Sequence, residues 1–351
     1  MRAPWLYRRK ESPARALALA PLLAVSWLYG VCAWLHRAVY RRGWRRPRRL
    51  SCKVLSVGSL AVGGSGKTPA AAWLAAQLHR RGHKVALASR GYGRRARESV
   101  EVVSDGRHVR ADVAGAGDEP LLLAGHAPGV PVLVGRDRGM AGLRAVAAFG
   151  TRVLVLDDGF QHHRLARDLD LVVLDGGLGF GCRKVLPRGP LREPLGALRR
   201  AHAVGVVDGP LPDADAALLD ALAPGVPRFA ARRQPLGLRP LRGGALEPVS
   251  LLHGRDVGLL AGIAHPASLR RSVEALGARV VAERAFSDHH RYRAGDLEGL
   301  AAQAPLWITT EKDALKILPA WAGDADVRVL ASELRVDEPE TLLRWIEGRL
   351  R

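Results

Sequence analysis

The stretch Lys53–Leu78, KVLSVGSLAVGGSGKTPAAAWLAAQL, constrains this chain more than any other. It predicts a buried strand over Val54–Val57, a glycine-rich turn, and an alanine-rich helix entered at Lys67-Thr68-Pro69. Gly63, Gly64 and Gly66 accept backbone angles that other residues resist. The N–H groups around them and Ser65 can therefore turn inward about a phosphate. A helix N-terminus directly behind adds unpaired donors and the positive end of a dipole. Lys67 would reach the β- and γ-phosphates, and the Thr68 hydroxyl would hold Mg²⁺. The strict pattern places a glycine five positions before Gly66, and Ala61 stands there instead. Strand, GGSGKT and helix in that order nevertheless point to nucleotide phosphate binding rather than a structural turn.

The second half of such a site is an acidic strand end. Val153–Gly159, VLVLDDG, is a buried-strand pattern closing on Asp157 and Asp158. Adjacent carboxylates at a buried terminus are costly unless a cation or donor meets them, so either is a candidate Mg²⁺ ligand. Gly117-Asp118-Glu119-Pro120 precedes an apolar run, where acidic residues either cap a helix or face the nucleotide. Val132–Val134 leads into Gly135-Arg136-Asp137-Arg138, and an arginine at a strand's C-terminal end lies where open α/β sheets bind ligands. Arg90 and Arg94 fit either an anion contact or an ordinary basic turn. Gln161, His162 and His163 follow the aspartates without a metal-ligand spacing. Phe286-Ser287-Asp288-His289-His290 reads as a loop, and Thr310 with Asp313 fits a helix cap.

Apolar strands alternate with helical patterns from Lys84 to Asp208, which predicts βαβ units and a mostly parallel sheet flanked by helices, as in P-loop NTPases. Residues 235–255 change character, with two apolar segments flanking Arg242-Gly243-Gly244, and predict a hairpin linker. An αβ pattern then restarts. The expected layout is a membrane-associated helix and basic flank at 1–50, a P-loop domain at 51–234, the linker at 235–255, and a smaller α/β domain at 256–351. The length of 351 residues accommodates two cores.

Ala16–Leu35, ALALAPLLAVSWLYGVCAWL, carries no charge and is about bilayer length. Arg37, Arg41, Arg42, Arg45, Arg46, Arg48 and Arg49 follow it, and Arg8, Arg9, Lys10 and Arg15 precede it. The basic flanks suit anionic headgroups and favour a cytoplasmic catalytic body; spanning and interfacial placements both remain open. The formal charge of +20 points to an anionic partner of some kind. Three unpatterned cysteines imply neither a disulfide framework nor a zinc site.

Seven segments resemble the tetraacyldisaccharide 4′-kinase family, the lipid A kinases of Gram-negative bacteria. They are VGGSGKTP (62–69), SRGYGR (89–94), GDEP (117–120), GRDR (135–138), DDGFQH (157–162), FSDHH (286–290) and TEKDALK (310–316). The resemblance covers almost the whole chain. It implies transfer of the ATP γ-phosphate to the 4′-hydroxyl of a tetraacyl glucosamine disaccharide 1-phosphate, giving lipid IVA at the cytosolic face of the inner membrane. It assigns the hydroxyl proton to Asp118, aided by a histidine placed at His289. Lys67 and Arg138 would stabilise phosphate charge, Thr68 with Asp157 or Asp158 would carry Mg²⁺, and Glu119 and Gln161 would lie near metal and phosphate. With Asp118 and His289 in different domains, closure is expected to assemble the pair. The implied partners are the lipid A disaccharide precursor and an anionic membrane surface, with neither nucleic acid nor an obligate protein partner. A membrane-anchored P-loop ATPase that organises protein partners is the competing class.

Overall fold

A computed structural model describes residues 7, 12–94 and 98–350; Arg8, Arg9 and Lys10 of the basic flank lie outside the described residues. Its strands are β1 (Lys53–Gly58), β2 (Val85–Ser89), β3 (Val100–Ser104), β4 (Val132–Gly135), β5 (Val153–Asp157), β6 (Leu169–Asp175), β7 (Ala203–Val207), β8 (Arg228–Pro240), β9 (Asp256–Ala261), β10 (Arg279–Ala285), β11 (Trp307–Thr310) and β12 (Val327–Val336). The helices are α1 (Pro13–Ala18), α2 (Pro21–Arg41), α3 (Lys67–Arg80), α4 (Val113–Ala116), α5 (Asp118–His126), α6 (Arg138–Phe149), α7 (Asp213–Leu222), α8 (Pro266–Ala275), α9 (Glu311–Ala314) and α10 (Pro339–Leu350).

The strands form one sheet in the order β10-β9-β11-β12-β8-β7-β6-β1-β5-β2-β4-β3. Pairing is parallel except for β3 on β4 and β12 on β8. β1 lies between β5 and β6, so the chain crosses over on both sides of it, and its C-terminal end opens into a crevice. Strand alternation divides the core. Leu55 and Val57 face the layer of α3, α5 and α10, whereas Val54, Leu154 and Leu156 face α6. Ala71, Ala72, Ala75 and Ala76 of α3 are buried, and their small side chains let the helix lie close on the sheet.

The expected division at 234/235 falls inside a strand. β8 pairs in parallel with β7 through Arg228–Ala231 and antiparallel with β12 through Ala231–Pro240, which makes the sheet continuous. Of the expected hairpin, only the reciprocal bonds between Leu238 and Glu247 form a ladder step. The C-terminus also returns to the first half: Leu342, Leu343 and Ile346 of α10 share a core with Leu55 of β1 and Leu74 of α3. A local core around Val257, Leu259, Leu269 and Ile308 remains in the second half.

The apolar run at 16–35 is not one helix. Pro21 starts α2 afresh at its first position, where proline's missing N–H is not needed. α2 then continues through Arg37 to Arg41. Its inner side is tied down by Ser26, whose hydroxyl donates to Val185 O at 3.0 Å and accepts from Arg188 N at 2.9 Å. Leu23, Val25, Trp27, Leu28, Trp34 and Leu35 are exposed. Among the described residues, α2 is the one helix long and apolar enough to cross a membrane.

Candidate active site

The loop after β1 builds the first half of the site. Gly63 and Gly66 have φ of 101° and 83°, the left-handed region that favours glycine; Gly64 does not adopt it. A Cβ at Gly66 would lie 3.3 Å from both γ-carbons of Val207. Ala61 occupies an ordinary extended position bridged to Leu191, so the missing leading glycine is not needed there. Lys67 is buried at the start of α3, with Nζ 3.3 Å from Gly63 O. The Ser65 hydroxyl is buried without a partner among the described residues.

Asp157 ends β5 fully buried, and Thr68 Oγ1 lies 3.3 Å from each of its carboxylate oxygens. Burial, then the neighbouring Glu119 and Asp158, push the Asp157 carboxyl up to about 8. Asp158 turns with φ of 54°, and both its oxygens lie 2.7 Å from Arg192 Nη1. Burial pushes Asp158 upward as well, but Lys67 and Arg192 outweigh it and hold the carboxyl below its usual range. Gln161 donates to Ser59 O at 3.1 Å, while its Oε1 is buried without a partner among the described residues. Arg138 opens α6, capped by Asp137, with its guanidinium buried and Nε unpartnered among the described residues. Burial pulls Arg138 down to about 10, so it stays charged at neutral pH.

Asp118 heads α5, and only 4% of it is exposed. Gly117, at φ of 89°, makes the turn before it; a Cβ there would lie 2.9 Å from Tyr92 O. His289 reaches across from the second half, with Nδ1 3.0 and 3.1 Å from the two Asp118 oxygens. Lys312 and Lys316 place Nζ 3.9 and 3.7 Å from Asp118 Oδ2. Burial raises the Asp118 carboxyl, but His289 and the two lysines outweigh it, leaving it below its usual range and ionised. The expected pairing of Asp118 with His289 thus exists without any further closure.

These groups meet at one cavity of about 1530 Å³. Gly63 to Thr68, Glu119, Arg138, Asp158, Gln161, His289 and Lys312 line it. Asp118 and Asp157 do not line it themselves but contact residues that do, His289 and Thr68. Among the described residues no cluster of three or more His, Cys, Asp or Glu side chains has the arrangement of a metal centre.

A family model described as tetraacyldisaccharide-1-P 4′-kinase matches residues 18–351. The chain belongs to this family. A tetraacyldisaccharide 4′-kinase of Anaeromyxobacter dehalogenans (strain 2CP-C) is 47% identical over 351 residues, covering 96% of this chain and 90% of the relative. One from Syntrophus aciditrophicus is 39% identical over 349 residues, covering 94% and 91%. A crystal structure of LpxK from Aquifex aeolicus in complex with ATP superposes with a TM-score of 0.74 at 30% identity, over 96% of this chain and 100% of that one. Family membership sets aside the partner-organising ATPase.

Within this kinase fold, three basic residues of the site escaped sequence reasoning. Arg192 follows no motif, and only the fold brings it to Asp158. Lys312 and Lys316 lie in TEKDALK, a segment noticed for its cap, and the spacing of four between them was the available signal. Of the two arginines left open, Arg94 turns inward to Glu101 and the carbonyls of Glu98 and Ser99, while Arg90 lines the cavity.

Proposed function

We propose that this chain transfers the γ-phosphate of ATP to the 4′-hydroxyl of a tetraacyl glucosamine disaccharide 1-phosphate, forming lipid IVA in lipid A biosynthesis. One observation carries the reading: a single cavity is lined by the phosphate cradle and by His289 and Lys312, which flank the ionised Asp118. The cradle fits a triphosphate, since Ser65 Oγ and Arg138 Nε are buried polar atoms without partners among the described residues. Lys67 and Arg138 would spread the charge of the phosphoryl oxygens.

Thr68, Asp157, Asp158, Glu119 and Gln161 supply the hard oxygen donors that suit Mg²⁺. Asp157, raised by burial beside two acidic neighbours, is the carboxylate a cation would relieve most, because Asp158 already has Arg192. When bound, the ion would neutralise charge on the transferred group. The acceptor hydroxyl gives its proton to Asp118 while its oxygen attacks the γ-phosphorus and ADP departs. His289 orients the carboxylate.

A lipid acceptor implies membrane association. The outward apolar face of α2, with Trp27 and Trp34, followed by Arg37, Arg41, Arg42, Arg45 and Arg46, suits the anionic cytoplasmic face of the inner membrane. The test is incubation of purified protein with γ-labelled ATP and the lipid disaccharide monophosphate in mixed micelles, followed by chromatography. A labelled lipid is expected; ATP turnover without one overturns the reading.

A further inference from the structure

A protonated lysine only donates hydrogen bonds, and an ionised carboxylate only accepts them. His289 stands between one of each, with a second carboxylate, Asp288 Oδ2, farther off at 3.8 Å from Nε2. Lys312 Nζ lies 3.2 Å from His289 Nε2, and the Asp118 oxygens lie 3.0 and 3.1 Å from Nδ1. Together they select one ring: Asp118 calls for hydrogen on Nδ1, and Lys312, closer than Asp288, calls for a lone pair on Nε2. An imidazolium, or a hydrogen on Nε2, would set an N–H against an ammonium. We infer that Lys312 is a positioning residue for the transfer reaction, fixing His289 as the neutral Nδ1–H tautomer that aims Asp118 and does not itself take the proton.

The surroundings of Lys312 explain how it is held. α9 is capped by Thr310, whose Oγ1 accepts from Asp313 N at 3.1 Å. Asp313, fully buried, accepts from Gly262 N at 2.9 Å and from Thr310 Oγ1 at 2.8 Å. The Thr-Glu-Lys-Asp segment is therefore a bracket that clamps α9 to the turn after β9 and directs Lys312 at the ring. The same ammonium donates to Asp288 Oδ1 at 2.9 Å, so it spans His289 and the residue before it. His289 has φ of 58°, a left-handed backbone that persists only where partners over-determine it. Its amide donates to Asp288 Oδ1 at 3.0 Å, and the Tyr92 ring lies 5.1 Å from the imidazole. Burial works against the Lys312 charge, yet Asp118, Asp288 and Glu119 more than restore it and raise the lysine above its usual range.

This inference rests on the kinase reading and narrows it. The sugar O–H bond breaks with its proton going to Asp118, the new O–P bond forms, and the bond to the β-phosphate oxygen breaks to release ADP. The histidine keeps one hydrogen throughout.

The test is long-range ¹H–¹⁵N correlation of the full-length protein labelled with ¹⁵N-histidine, with His289 assigned by its loss in His289→Gln. Wild type near neutral pH should show His289 as the neutral Nδ1–H form. In Lys312→Met, Asp118 still holds hydrogen on Nδ1 but nothing bars a second one on Nε2, so the ring should shift to the doubly protonated form and kcat should fall on the order of ten- to a hundredfold, as for lost supporting hydrogen bonds. KM for ATP should change less than about twofold, because uniform binding is untouched. Lys312→Arg, which keeps a donor, should retain the tautomer and most of kcat. A wild-type His289 that is Nε2–H or doubly protonated overturns the inference, as does Lys312→Met with the tautomer intact or with the tautomer lost and kcat unchanged. Should Lys312→Met fail to fold, the wild-type tautomer alone decides. Absence of lipid product from wild type would sink the kinase reading and leave the tautomer measurement standing.

Discussion

Asp118→Asn removes the proposed base while nearly preserving its volume. A general base contributes about 10²–10⁴ in rate, which is roughly 3–5 kcal/mol at 1.36 kcal/mol per tenfold. The surroundings push toward the upper end. Asp118 is 4% exposed and faces His289 Nδ1, Lys312 and Lys316, all donors. An amide there keeps one acceptor oxygen but presents an N–H₂ to groups that only donate, so the histidine and lysines lose one of two acceptor oxygens as well as the base. We expect kcat to fall by about 10³–10⁴. ATP affinity should move less than about threefold, since among the described residues the Asp118 side chain bonds to Glu119 N and His289 and not to the glycine-rich loop. Initial rates of labelled lipid formation give kcat, calorimetric titration gives nucleotide affinity, and thermal denaturation checks the fold. A kcat within tenfold of wild type, or a parallel collapse of ATP affinity, would refute the assignment.

Three further outcomes follow from the same coordinates. Gly66→Ala forces a left-handed angle on a residue with a Cβ, costing about 1–2 kcal/mol, and presses on Val207; calorimetry should show ATP binding weakened roughly five- to thirtyfold. Gly258→Ala would put a Cβ 2.6 Å from ring carbons of the buried Trp307; denaturant melts should show a loss of about 1–3 kcal/mol, and unchanged stability would contradict the packing of β9 on β11. Replacing Trp27 and Trp34 together by serine should reduce co-sedimentation with anionic vesicles without lowering Tm, because both side chains are exposed.

The first half of the molecule was legible because its signals are local. The strand, glycine turn and helix of Lys53–Leu78 lie within one βα unit, and the apolar run into Asp157 and Asp158 needs no distant partner to be recognised. Three features were not local. β8 carries the polar stretch Arg232-Arg233-Gln234 across the expected boundary, since it is covered by β12 nearly a hundred residues later. α10 reads as an amphipathic helix, and amphipathicity does not say which core receives it. The pairing of Asp118 with His289 spans 171 positions; the family resemblance proposed it, while spacing alone could not. Lys312 escaped because a lysine beside a helix cap resembles any solvated lysine until α9 is folded against the loop of His289. The break at Pro21 was visible in the sequence, where proline suits a helix start better than its interior.

Direct transfer in one cavity makes a stereochemical demand. ATP made chiral at the γ-phosphorus with oxygen isotopes, used to phosphorylate the lipid disaccharide, should give a 4′-phosphate of inverted configuration, as one in-line displacement requires. Retention of configuration would mean two displacements through a phosphorylated residue, and would contradict a mechanism in which Asp118 only accepts a proton.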